Sequence, residues 1–191
     1  MTVVVHEFDW PDRVVVGTVG RPGERTFYLQ TRLGERTTSV VLEKQQSAVL
    51  ADMVEQLLDD LATDPSHPLT VPRDIPPELV DDGPVDQPVE PLFRTGPMRL
   101  GWDPRTLQVV VEAFPLDETA LDETTDDEGE AAPGPDEDEP REVLVVRMPV
   151  GTARAFVRRT RAVVDAGRPT CSRCGEPIDP DGHVCGPFAG A

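Results

Sequence analysis

Twice along this chain the hydrophobic period switches from two residues to between three and four, and that switch restricts the fold more than any other feature. "RVVVGTV" (13–19) reads as a strand, followed by the Gly/Pro turn "GRPGE". "RTFYLQTRL" (25–33) then alternates, with Phe27, Leu29 and Leu33 on one side and Tyr28, Gln30 and Arg32 on the other. This is the pattern of a half-buried strand. A "GE" turn brings the chain back as "RTTSVVLE" (36–43), its hairpin partner. From Lys44 the period changes: Leu50, Met53, Val54, Leu57, Leu58 and Leu61 recur at helical spacing and share one apolar face.

The second half keeps this order. "FRTGPMRLGW" (93–102), "TLQVVVEAF" (106–114) and "REVLVVRMP" (141–149) read as strands. Ala153, Phe156, Val157, Val163 and Val164 then mark a second amphipathic helix ending near Gly167. A β-β-β-α unit leaves one face of its sheet uncovered, so two such units are expected to pack together. The expected fold class is α+β. Residues 1–63 and 92–167 form two pseudo-repeats of one domain (1–167), a two-layer arrangement of antiparallel sheet and helix.

Two irregular segments interrupt that plan. Residues 64–91 carry prolines every few positions, which forbids a helix or a central strand. They are expected to lie as an extended strap, with Val71, Ile75, Leu79 and Val80 as contact points. Residues 117–140 fall where the first half has only "GE". The stretch 117–142 holds thirteen acidic residues and one basic one, Arg141. An enlarged, disordered hairpin loop is the expectation for so charged and apolar-poor a run.

All three cysteines and one of the three histidines lie in "CSRCGEPIDPDGHVC" (171–185). Cys171 and Cys174 form C-x2-C, and turn-forming residues bring back His183 and Cys185 as H-x-C. Three thiolates and an imidazole make a tetrahedral Cys3His set, the usual composition of a structural zinc site. Four protein ligands leave no position open for water, so the zinc expected in this tail (168–191) is structural. A redox C-x2-C normally opens a helix beside a strand, whereas this one follows a helix and Pro169. No Glu follows His183, so the H-x-E signature of the zinc deaminases is missing.

Composition bounds the setting. The net charge of −18 and the lack of a basic patch argue against nucleic-acid binding. No run approaches the roughly 20 apolar residues of a membrane span. The first residues, "MTVVVHEFDWPDR", lack the pattern of a secretory signal. A cytoplasmic location is expected, where thiols stay reduced. One Lys against seventeen Arg, no Asn and two Ile point to a GC-rich coding sequence, as in actinobacteria.

No nucleophile motif or phosphate loop stands out, and "GTVG" (17–20) is too short for a dinucleotide fingerprint. Two stretches could still carry chemistry. "HEFDW" (6–10) groups His6, Glu7, Asp9 and Trp10, either as a metal or acid–base site or as a strand end leading into a turn at Pro11. "EKQQ" (43–46) places Lys44, the lone lysine, with Glu43, Gln45 and Gln46 at a strand-to-helix junction. A lysine there is either tuned by burial or solvated at the helix start.

The order "DRVVVGTVG", "RTFYLQTR", "VVLEKQQ", an acidic loop and "CSRCGEPIDPDGHVC" resembles an actinobacterial family of conserved hypothetical proteins, a domain of unknown function. The resemblance runs nearly end to end, and Cys171, Cys174, His183 and Cys185 match its tail motif. It implies a pathway shared with a histidine-phosphatase-like and a lipid-kinase-like protein. The expected role is a protein-interaction or regulatory module with an unidentified protein partner. The alternative is an enzyme acting on a phosphorylated metabolite, with the EKQQ junction and His6 in one cleft.

An enlarged hairpin loop contributes closure entropy and little packing. Replacing residues 117–140 by a short Gly-containing turn should therefore leave the melting temperature unchanged in differential scanning calorimetry. A large drop would show that the run packs.

Overall fold

The computed structural model describes residues 3–21, 23–64, 71–117 and 141–167, together with Cys171, Arg173, Cys174, Ile178 and Cys185. The chain is α+β. Seven strands, β1 (Val3–Asp9), β2 (Arg13–Val19), β3 (Thr26–Leu33), β4 (Arg36–Leu42), β5 (Pro91–Asp103), β6 (Gln108–Pro115) and β7 (Arg141–Pro149), form one sheet. Helix α1 (Lys44–Thr63) follows β4, and α2 (Val150–Asp165) follows β7. The acidic run from residue 118 to 140 and strap residues 65–70 lie outside the described residues.

The sheet order is β1-β7-β6-β5-β4-β3-β2. Strands β2–β3–β4 and β5–β6–β7 are each antiparallel, but β4 meets β5 in parallel and β1 lies parallel to β7. The purely antiparallel sheet expected from the sequence is thus corrected to a mixed one. The reason is the helix: α1 takes the chain back across the sheet, so β5 starts at the same end as β4. A seventh strand, β1, adds to the six read from the sequence.

β1 and β2 close opposite ends of the order, yet only residues 10–12 join them. Seven flat strands at about 4.8 Å spacing would set the two edges about 29 Å apart. The step from Asp9 to Arg13 spans at most about 14 Å. The sheet must therefore curl until its edges approach. Contacts across the gap fit this geometry: Arg36 donates to the Glu7 carbonyl, its guanidinium lies 3.9 Å from the centre of the Phe8 ring, and the Gly34 N–H donates to Asp12 Oδ2 at 2.7 Å. The corner is made by Trp10 in the left-handed region (φ 52°), whose N–H donates to Arg147 O at 3.2 Å.

A single apolar cluster joins the sheet to the helices. Val14 and Val16 of β2, Phe27 and Leu29 of β3, and Val40 and Leu42 of β4 meet Leu50, Val54 and Leu58 of α1 and Ala153, Phe156 and Val157 of α2. The helices run antiparallel, since Arg154 pairs with Asp59 and Arg161 with Asp52 and Glu55. Such surface pairs set register more than they stabilise.

The other face of β2–β3 carries the strap. Val85 is 3% exposed, and a Cβ on Gly17 would sit 2.5 Å from its methyl, so only glycine admits it. Of the expected contact points, Val71 is buried and Ile75 and Leu79 are half-buried, but Val80 is 40% exposed. Two arginines hold the strap. Arg13 donates to both Asp81 carboxylate oxygens (2.5 and 3.2 Å), to Pro84 O (2.8 Å) and to Asp86 (3.3 Å). Arg159, only 7% exposed, donates to Val16 O (3.1 Å), Asp81 O (2.6 Å) and Gly83 O (2.5 Å). Gln30 accepts from Asp86 N at 2.7 Å and donates to Asp86 O and Ser39 Oγ, both at 3.1 Å.

The hydrogen bond from Arg13 holds the Asp81 carboxyl below its usual pKa of 3.8, with further help from Gly83 N–H and the charge of Arg159. A depressed carboxyl stabilises the folded state above the unfolded value and loses that contribution as pH falls through the folded one. Asp81→Asn should therefore be less stable than the parent at pH 7, with the gap closing below about pH 4. Urea unfolding at several pH values tests this; a gap that does not change with pH would contradict it.

Candidate metal centre

The thiols of Cys171, Cys174 and Cys185 converge: their sulfurs all lie within 4.8 Å of one another. Cys171 and Cys185 are 3.5 Å apart, and all three are half-buried and outside any disulfide. Zn–S bonds of about 2.3 Å in a tetrahedron put sulfurs about 3.8 Å apart, whereas a disulfide needs about 2.05 Å. The spacing suits a shared cation. The C-x2-C turn aims backbone at the first sulfur, with Arg173 N–H 3.4 Å from Cys171 Sγ. Donation from the N–H groups of Arg173 and Cys174, and from the Cys185 thiol, lowers the Cys171 pKa to about 6. Cys185 is pushed up to about 11, chiefly because its proton is held against Cys171. A cation entering the group would displace that shared proton. His183, the fourth expected ligand, lies outside the described residues. Among the described residues no other set of three His, Cys, Asp or Glu side chains converges in this way.

The remaining sequence candidates separate. Alternation along β1 turns His6 and Phe8 to one face and Glu7 and Asp9 to the other. Glu7 pairs with Arg147 at 2.8 Å, Asp9 accepts from Gln108 at 2.8 Å, and His6 Nε2 stands 3.6 Å from Glu142, beyond hydrogen-bond reach. No acid–base set forms. The EKQQ junction is a helix cap. Glu43 accepts from the Gln46 backbone N–H, Gln46 Oε1 accepts from Glu43 N–H at 2.8 Å, and Glu43 also pairs with Arg94. Gln46 Nε2 reaches Thr95 O and Gly96 O, both at 3.0 Å, and so ties α1 to β5. Lys44 and Gln45 are exposed; a Cβ on Gly167 would lie 3.4 Å from Lys44 Nζ, which sets this cation beside the end of α2. A cation is favourable at a helix C-terminus.

Two cavities flank Arg159, and neither reaches His6 or the EKQQ junction. One, of about 230 Å³, is lined by Asp12, Arg13, Arg32, Glu78, Asp81 and Arg159 among others; the second, of about 280 Å³, lies between Arg25, Asp82 and Arg159. No sequence motif marks this cluster. Its signal was present, since Arg159 falls within the apolar stripe of α2, between Phe156 and Val163.

Removing the cap glutamine tests its structural role. Gln46→Ala deletes one acceptor and two donors and should cost about 1–2 kcal/mol by denaturant unfolding. Lys44→Ala should cost less than about 0.5 kcal/mol, as for an ordinary surface change. The reverse order would make Lys44 the residue that matters.

No curated protein and no solved structure matches this chain. The model of one family, described as "Protein of unknown function (DUF3090)", matches residues 6–185, from β1 to the last cysteine of the cluster. The chain belongs to that family of unknown function.

Proposed function

We propose that this chain is a cytoplasmic binding module whose C-terminal tail, residues 168–191, is ordered by one structural zinc ion held by Cys171, Cys174, His183 and Cys185. The observation that carries the reading is the convergence of three thiols, none in a disulfide, at metal-ligand spacing. So short a tail has no core of its own, and metal binding would supply its folding free energy. Residues 1–167 serve as the scaffold, read as two β-β-β-α units in two layers around the shared apolar cluster. No helix is long and apolar enough to cross a membrane. Reduced thiols suit a reducing compartment, and a net charge of −18 disfavours nucleic acid as a partner. The enzymatic alternative required one cleft joining His6 to the EKQQ junction, and neither cavity around Arg159 provides it.

Elemental analysis of freshly purified, reduced protein should find one zinc per chain. Loading metal into apoprotein should release protons, because thiols must ionise to bind. Cys174→Ser should abolish stoichiometric zinc, and His183→Ala should weaken it. Protein without zinc, or His183→Ala with full occupancy and affinity, would overturn the ligand set.

A further inference from the structure

Residues 81–86 of the strap are held as a bound peptide is held. Arginines take their carbonyl groups: Arg159 donates to Asp81 O (2.6 Å) and Gly83 O (2.5 Å), and Arg13 to Pro84 O (2.8 Å). Gln30 brackets the Asp86 backbone, accepting from its N–H at 2.7 Å and donating to its C=O at 3.1 Å. The carboxylates of Asp81 and Asp86 rest on Arg13 and Arg32. Val85 is the one buried residue of this stretch, seated in the notch that Gly17 leaves. Backbone hydrogen bonds together with a side-chain pocket are the means by which extended peptides are recognised.

The packing around this stretch is open. Thr152 and Ala155 of α2 line one of the cavities beside Arg159, and Ala162 and Val163 line the other. Their spacing puts them on one face of the helix. The two cavities thus follow one groove between α2 and β2, with Asp81 in the wall of the first, Asp82 in the wall of the second and Arg159 in both. The strap bridges that groove at Arg159. With one buried apolar side chain and space on either side of its anchor, it has little packing to lose on lifting.

Charge selects what fits beneath it. Outside the strap, the residues lining the two cavities include four cations, Arg13, Arg25, Arg32 and Arg159, and one anion, Asp12. That balance is the reverse of the chain's net charge of −18. Asp81 and Asp86 are the strap's counter-ions to Arg13, Arg32 and Arg159. An occupant that replaces the strap must bring carboxylates of its own, because buried guanidinium groups left alone are costly.

We propose that the strap is the internal occupant of a peptide-binding groove, and that lifting it admits an extended acidic segment of a partner protein. The segment offers the same succession of groups: a carboxylate for Arg13 and Arg159, a small apolar side chain for the Gly17 notch and a second carboxylate for Arg32. This deepens the reading of the chain as a binding module and rests on it.

A fluorescein-labelled peptide with the sequence of residues 79–88, titrated by anisotropy into the full chain, tests the proposal. A strap tethered at both ends competes at an effective concentration on the order of millimolar. Val85→Ser loosens the strap, as does Asp81→Asn, and each variant should bind the peptide at least about tenfold more tightly than the parent, less so as salt rises. Peptides carrying Val85→Arg, or Asp81→Asn with Asp86→Asn, should bind these variants at least about tenfold more weakly. Adding Gly17→Ala to Val85→Ser should undo the gain. In the parent without peptide, the Asp86 amide should exchange its hydrogen faster than the amides of β3; this measurement decides alone if neither variant keeps its circular dichroism spectrum. Five results would each overturn the proposal: folded variants that do not bind, equal binding of the altered peptides, displacement of the peptide by tripolyphosphate at equal concentration, Asp86 exchanging only as slowly as β3, or a variant that sediments as a dimer by exchanging straps. Zinc is measured on the same samples. Full zinc without peptide binding sinks the groove alone, and peptide binding without zinc sinks the metal reading alone.

Discussion

Residues Trp10, Pro11 and Asp12 must connect the two ends of a seven-stranded sheet, and the rest of the structure accommodates that demand. Because the connection is so short, the sheet curls, and Phe8 comes under Arg36 instead of facing water at a distant edge. Curling also concentrates apolar side chains from most of the strands around α1 and α2, so one cluster serves both halves of the chain. Trp10 has positive φ, a conformation that a non-glycine residue keeps only where its surroundings hold it. Its N–H, continuing the hydrogen bonding of β1 to Arg147, is part of that hold.

A second constraint acts on the opposite face. The strap has few apolar residues to bury, and it is fixed mainly by hydrogen bonds from Arg13, Gln30 and Arg159. Arg159 is nearly buried, and burial pushes its pKa down while the charge of Asp81 pushes it up. Removing Asp81 would leave the Arg159 charge without this counter-ion in a poorly hydrated place, which is far costlier than losing a surface pair. Strap and sheet are therefore coupled through a few polar groups. The first half of the sheet is covered on both faces as a result, while Val3 and Val5 of β1 stay exposed.

Local patterns in the sequence located most of the elements. The alternation of Phe27, Leu29 and Leu33 and the stripe from Leu50 to Leu61 fall in β3 and α1. Long-range pairing was not legible, because nothing local specifies that β1 lies against β7 or that β4 and β5 run parallel. The EKQQ stretch invited a chemical reading, yet its glutamate and second glutamine satisfy backbone groups, a role the spacing of a capping box encodes. Val85 escaped notice because its burial depends on Gly17, 68 residues away in the chain. The cysteine spacing did foreshadow the convergence of Cys171, Cys174 and Cys185, because C-x2-C with a third cysteine nearby is a metal-ligand pattern.

We propose that the sheet and helices stand on their own packing while the tail depends on a bound metal. Hydrogen exchange by mass spectrometry, before and after treatment with a zinc chelator, tests it most directly. Chelation should raise exchange across residues 171–185 and leave the protection of β2–β4, β6, β7 and both helices unchanged. Loss of protection throughout the sheet would show that the cysteine cluster is built into the main core, and would contradict the account.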